Sequence, residues 1–258
     1  MFTAYDDAMV CYYLPLCIHS DTQLQRALWC IRNFLRIHTN PLTQLVVQVD
    51  GPIVNIGALM EIRELCYDSR IEYREVHGLY NLDKAGFGVA VELMAWQLSR
   101  RRWLVKFDTD TKFYRRLSSM PTGRGMYGSV LSDSTINFIQ GGCRILSPGS
   151  LTTYELHTFI SRMLNYALSL TPEDATTTWG ANKGAYSICA EHTYRVCEEL
   201  VMAWVGKQVS LDCLPHHEVC CHAVNLDPPK VPYTQKLDLR YNYAVSHPHK
   251  DDWKTEQV

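Results

Sequence analysis

No stretch of this chain approaches the run of about 18 apolar residues that a membrane-spanning helix needs. A charge excess is also missing. The 25 basic and 27 acidic residues leave a formal net charge of −2, which argues against the broad basic face that backbone binding to nucleic acid requires. The opening MFTAYDDAMVCYYLPL has no basic start and places Asp6 and Asp7 before its apolar part, unlike a signal peptide. Ten cysteines lack the spacing of a secreted disulfide framework, and Cys30, Cys66, Cys189 and Cys197 fall at apolar positions of predicted helices. Reduced, buried thiols in a cytoplasmic protein are expected. Internal repeats, low-complexity stretches and linkers are absent as well, so the 258 residues, 47% of them hydrophobic, predict one domain with a large core.

What is present alternates between two periodicities. Met9–Cys17 is apolar and aromatic and predicts a first strand, with Pro15 pointing to a sheet edge or the strand's end. Ser20–Gln23 matches a capping box, and Leu24, Leu28, Ile31 and Leu35 follow on one helical face. Leu45–Val49 predicts a second strand, closed by the turn signal Asp50-Gly51-Pro52. Asn55 caps a predicted helix with Leu59, Ile62, Leu65 and Cys66 inward, and Ile71–Val76 predicts a third strand. After a loop over Gly78–Asp83, a helix over Gly86–Leu98 carries Phe87, Ala90, Met94 and Leu98 on one face. Trp103–Phe107 is then a fourth strand. This alternation predicts an α/β fold with a mostly parallel sheet covered on both faces, and ligands beyond the carboxyl ends of its strands.

The second half is less regular. Met126–Leu131 and Ile136–Gln140 predict short strands, the second leading into Gly141-Gly142, either a sharp turn or a close backbone approach to a ligand. A long helix is predicted from Ser147-Pro148 through Leu170, with Leu156, Ile160, Met163 and Ala167 on one face, and another over Ala185–Trp204. Val219–Val224 predicts a last strand. Four prolines from Asp227 onward predict an extended tail that gathers His247, His249 and Lys250.

The chemistry concentrates in RWLVKFDTDTKF, residues 102–113, where an apolar strand ends in Asp108 and Asp110. Two such carboxylates repel unless one is protonated or a cation sits between them, and a hard divalent cation is the usual partner of oxygen ligands. Arg100, Arg101, Arg102, Lys106, Lys112, Arg115, Arg116 and Arg124 surround the pair, either as a solvated face or as an attraction for a phosphorylated substrate.

Taken in order, these motifs resemble a nucleotide-sugar glycosyltransferase of the GT-A fold, of the family 2 type. VVQVD, residues 46–50, resembles its second strand, and NLDKAGFG, residues 81–88, its nucleotide-contacting stretch. FDTD resembles its metal-binding DxD, Gly141-Gly142 the glycine pair near donor sugar and acceptor, and Glu173-Asp174 its acidic pair. The resemblance implies a Rossmann-like, mostly parallel mixed sheet flanked by helices. It implies a nucleotide-binding half over 1–112, an acceptor half over 113–226 and a tail over 227–258 that closes over the site. Ile18 at the first strand's end, Asp50, Lys84, Gly86, Asp108 and Lys250 would hold a UDP- or GDP-sugar. Asp108, Asp110, His247 and His249 would hold Mn²⁺ or Mg²⁺. Gly141, Gly142 and Glu173 would contact substrate, and Asp174 would be the base toward a hydroxyl acceptor, a glycan or small molecule, if the reaction inverts.

Simpler readings stand beside these. Asp50 is also the first residue of an Asp-Gly turn, Lys84 is also solvated on a loop, and Glu173-Asp174 also suit the first turn of a helix. Cys213, His216, His217, Cys220, Cys221 and His222 match no common structural zinc spacing and read as a buried thiol with surface histidines. FDTDT also resembles phosphatases of the haloacid dehalogenase superfamily, with Asp108 as nucleophile, Asp110 as acid/base and Lys183 in a later motif; there, however, the motif follows the first strand. A nucleotide-binding module without turnover is a third reading.

Overall fold

The computed structural model describes residues 1–18, 20–50, 56–76, 93, 96, 101–132, 137–169, 198–221 and 244–247. Short strand β1 (Phe2–Ala4) precedes β2 (Val10–Cys17). Then follow α1 (Asp21–Ile37), β3 (Gln44–Asp50), α2 (Ile56–Leu65), β4 (Ile71–Val76) and β5 (Trp103–Phe107). The remaining strands are β6 (Lys112–Phe113), β7 (Ser119–Pro121), β8 (Met126–Ser132), β9 (Asn137–Leu146), β10 (Cys213–Pro215), β11 (Val219–Cys221) and β12 (Val245–His247). The remaining helices are α3 (Thr153–Ser169) and α4 (Glu198–Gln208).

Seven strands form the central sheet in the order β10-β8-β9-β5-β2-β3-β4. The pairs β4-β3, β3-β2, β2-β5 and β8-β10 are parallel, whereas β9 runs antiparallel to both neighbours. The sheet is therefore mixed, with β9 its one reversed strand, as the predicted α/β class requires.

Apolar residues on alternate positions of each strand divide between two cores. Val10, Tyr12, Leu14, Leu45, Val47, Val105 and Ile145 pack with Leu24, Leu28 and Ile31 of α1 and Ile62 of α2. Cys11, Tyr13, Val46, Leu104 and Leu146 pack on the other face with Leu156, Phe159 and Met163 of α3 and Met202 of α4. Each such side chain contributes roughly 1.5–3 kcal/mol by leaving water. Ser20 caps α1 by accepting from the Gln23 N–H at 3.3 Å, and Leu35, Leu59, Leu65 and Cys66 are partly buried against the first core. Among the described residues, no helix is long and apolar enough to cross a membrane.

Several expectations shift. Pro15 lies in an interior strand rather than at a sheet edge, but beyond Tyr13, the last residue of β2 paired with β5, so its missing N–H deprives no ladder on that side. The second glycine-bearing strand extends to Leu146 and swallows Gly141-Gly142, because its alternating Cys143 and Ile145 continue the first core. Ser147-Pro148 opens a 3-10 turn, and the long helix begins only at Thr153. Its true start is a second capping box, in which Thr152 Oγ1 accepts from the Glu155 N–H at 3.2 Å and Glu155 Oε2 accepts from the Thr152 N–H at 2.8 Å. Of the helix predicted over Gly86–Leu98, Leu93 and Trp96 are described; both are helical and buried, and neither belongs to the predicted inward face. The tail segment Val245–His247 is a paired strand, parallel to β11 and antiparallel to β6.

Candidate active site

Every residue of β5 is buried, so the strand is fixed where its carboxyl end meets solvent. There Asp108 donates its N–H to the Gly142 carbonyl of β9 at 2.9 Å. The Thr111 N–H returns to the Asp108 carbonyl at 3.0 Å, closing a tight turn that contains both acids. Thr111 is fully buried; its hydroxyl donates to the Gly142 carbonyl at 2.9 Å and accepts from the Asp108 N–H at 3.2 Å. From beneath, the Cys30 thiol of α1 donates toward the carbonyls of Asp108 at 3.6 Å and Thr111 at 3.5 Å. Burial, then the charges of Asp110 and Asp108, push that thiol well above its usual range, so it stays protonated. Asn33 of α1 uses its side-chain amide to bond both backbone groups of Phe113, at 2.8 and 3.1 Å.

The two acids differ in exposure. The Asp110 side chain is 11% exposed, whereas the Asp108 side chain retains 40% of its surface. Each faces a cation of the chain: Lys106 Nζ pairs with Asp108 Oδ1, and Arg26 of α1 lies 3.9 Å from Asp110 Oδ2. A half-exposed carboxylate beside a second one suits a hard divalent cation, since Mg²⁺ is commonly held by one or two carboxylates plus substrate phosphates and water. Among the described residues, no group of three or more His, Cys, Asp or Glu side chains forms a fuller cage.

The other predicted residues fall into four groups. Gly141 and Gly142 lie in β9 beside the acid turn, so the pair is a strand segment whose backbone touches the motif rather than a turn. Asp50 ends β3 and Ile18 follows β2, which places both at the same end of the sheet as Asp108; the Ile18 side chain itself is buried in the first core. His247 ends β12, whose Ser246 is paired with Lys112, so the tail backbone is brought beside the residues that follow the acids. Lys84, Gly86, Glu173, Asp174, Lys183, His249 and Lys250 lie outside the described residues.

The basic residues are mostly engaged elsewhere. Arg115 pairs with Glu218, Arg116 with Asp7 at 3.0 Å and Arg124 with Glu155. Arg101 donates to the Ala8 carbonyl, and Arg102 lies over the Trp103 ring at 4.8 Å. Lys106 is neither on a solvated face nor remote: it is buried and bound to an acid of the motif. Its signal was legible, a lone lysine inside an apolar strand two residues before Asp108. Arg26, Thr111 and Cys30 carried no comparable signal. In the histidine cluster, His216 is buried rather than on the surface; its Nδ1 accepts from the Glu218 N–H at 3.3 Å and its ring stacks on His217. Cys11, Cys30 and Cys143 are buried thiols outside any disulfide, and Cys66 and Cys213 are half-buried ones.

No family model and no curated protein sequence matches the chain. Solved structures do match in fold. A galactosyltransferase, LgtC, in complex with donor and acceptor sugar analogues superposes with a TM-score of 0.51 at 8% identity, covering 92% of this chain and 86% of that one. The glycosyltransferase GlyE of Streptococcus pneumoniae TIGR4 superposes with a TM-score of 0.50 at 7% identity, covering 96% of this chain and 56% of that one. At such identities the likeness is one of architecture: this chain has a glycosyltransferase fold of the GT-A-like kind.

Proposed function

We propose that the protein is a metal-dependent glycosyltransferase that moves a sugar from a nucleoside-diphosphate sugar, with UDP or GDP as carrier, to a hydroxyl acceptor. The observation that carries this reading is the junction of β5 and β9. There the turn that holds both acids is bonded, through the Asp108 N–H and the Thr111 hydroxyl, to the Gly142 carbonyl, at the end of the sheet where Asp50 and Ile18 also emerge. The fold likeness supports it, one neighbour being a galactosyltransferase described with donor and acceptor sugar analogues.

In this reading Asp108 and Asp110 hold Mn²⁺ or Mg²⁺, with His247 or His249 from the tail as a further ligand. When bound, the ion supplies Lewis-acid stabilisation of the charge that develops on the departing diphosphate. The chain's own groups do the rest. The β9 backbone at Gly141-Gly142 admits the sugar closely, because no side chain projects there. Asp50, Lys84 and Gly86 position the nucleotide, Ile18 contributes through its backbone, and Lys250 adds positive charge near the phosphates. The bond from anomeric carbon to phosphate oxygen breaks and its electron pair leaves with the diphosphate, while the acceptor oxygen bonds to the anomeric carbon. In an inverting reaction the acceptor proton passes to Asp174, with Glu173 beside it at the substrate; a retaining reaction needs no such base.

Incubation with a panel of UDP- and GDP-sugars plus Mn²⁺ or Mg²⁺, with product anomers followed by NMR, tests the reading. Slow metal-dependent release of one sugar is expected, with Asp110→Asn abolishing both turnover and metal-dependent nucleotide binding. No turnover with any donor, and no metal-dependent binding of UDP or GDP by calorimetry, would overturn it. Phosphate release from an aryl phosphate, lost in Asp108→Asn, would install the phosphatase reading instead.

A further inference from the structure

The acid pair is already partnered by cations of the chain. Lys106 sits in the middle of the sheet, with a side chain 10% exposed, behind an Asp108 carboxylate that is 40% exposed. A buried ammonium is tolerated only when paired, so its place at that carboxylate is structurally enforced. In β9 its register partner is Arg144, itself 1% exposed, which adds a second buried basic residue on the same face. Arg26, 18% exposed, approaches the other acid from α1. Lys106 and Arg26 thus set one positive charge beside each of the two acids.

We propose that Lys106 and Arg26 are resident counter-cations of the acid pair that oppose a divalent ion, so that the ion is held weakly until a diphosphate brings negative charge to the site. This rests on the metal-dependent reading above. It makes the metal and the nucleotide mutually dependent ligands: a neutralised acid pair binds M²⁺ poorly alone, whereas metal and diphosphate together balance charge. Lys106 is a positioning residue here, acting on the ligand through Asp108.

The test is Mn²⁺ binding by electron paramagnetic resonance, with and without UDP or GDP, for wild type, Lys106→Met, Lys106→Arg and Arg26→Met. Lys106→Met should tighten Mn²⁺ alone on the order of tenfold or more, as removal of one adjacent positive charge requires, and should reduce the further tightening caused by nucleotide. Lys106→Arg should behave as wild type. Arg26→Met should shift affinity the same way but less, since its ion pair is longer. If Lys106→Met fails to fold by circular dichroism, the half-buried Arg26 variant carries the test. Mn²⁺ binding in wild type that neither Met variant tightens overturns this inference alone. No Mn²⁺ binding by any of the four proteins, with or without nucleotide, overturns the metal-dependent reading with it.

Discussion

Thr111 connects three parts of the candidate site through one side chain. Its hydroxyl joins the acid turn to the glycine strand while its carbonyl receives the Cys30 thiol. Thr111→Val keeps the shape and removes those hydroxyl bonds, which should lower unfolding free energy by about 1–2 kcal/mol. In the proposed enzyme it should also weaken Mn²⁺-dependent UDP or GDP binding in calorimetry, with Thr111→Ser restoring it. Lost stability with unchanged nucleotide affinity would reduce Thr111 to a fold residue. The acids themselves could be read directly from FDTDT, because an apolar strand ending in paired carboxylates is an unusual combination. Thr111 could not, since a threonine after an aspartate is ordinary and its meaning depends on Gly142, 31 residues away.

At the level of elements, the second, three-stranded sheet β11-β12-β6 carries the tail to the acid turn. Glu218 locks it in place. Its buried carboxylate accepts from the backbone N–H groups of Ser118 and Ser119, from both serine hydroxyls and from Arg115, while its carbonyl accepts from the Ala244 N–H at 2.9 Å. Burial alone would raise its pKa; Arg115 and the Ser118 donors outweigh it and hold the carboxyl below its usual value. Glu218→Gln turns an acceptor into a donor facing donors. A loss of roughly 2–3 kcal/mol is expected in urea unfolding, with faster amide exchange at 244–247. A change below about 0.5 kcal/mol, within the range of ordinary surface substitutions, would remove Glu218 from this role. The strands of the first half and α1 were legible because each strand is an apolar or alternating run and α1 keeps one helical face behind its Ser20 cap. The second half was less so. β9 was foreseen as a short strand ending at its glycines, since glycine normally punctuates a strand; the strand instead runs on to Leu146, with the glycines falling at a register shift in its pairing to β8 and just before its ladder to β5 begins at Cys143.

For the whole molecule, the buried histidines govern acid stability. Burial holds His38 down to about 3 and His216 to about 4, against an ordinary 6.5. Both are therefore neutral in the folded protein at pH values where the unfolded chain takes up a proton. Their contribution is complete above pH 6.5 and is lost as pH falls from there toward 3 to 4, each at about 1.4 kcal/mol per pH unit. Asp7 and Glu218, whose carboxyls are lowered, begin to count only below about 4.5, the ordinary range for such groups. Urea melts between pH 7 and 4.5 should thus show stability already declining, and a flat profile there would contradict the histidine burial. None of this could be read from the sequence, in which His38 and His216 look like surface residues near a helix end and a cysteine.

The contacts that shape the acid turn are distant along the chain: Cys30 to Asp108 spans 78 residues, Asn33 to Phe113 spans 80, and Glu218 to Ser118 spans 100. During synthesis the βαβ units of β2, β3 and β4 can dock as they emerge, whereas β6 waits for residues 219–221 and 245–247 before its neighbours exist. The nascent chain therefore carries its acid pair long before it carries the strand that lies beside it. The turn proposed to meet substrate therefore gains its neighbouring strands only after residues 219–221 and 245–247 have been made.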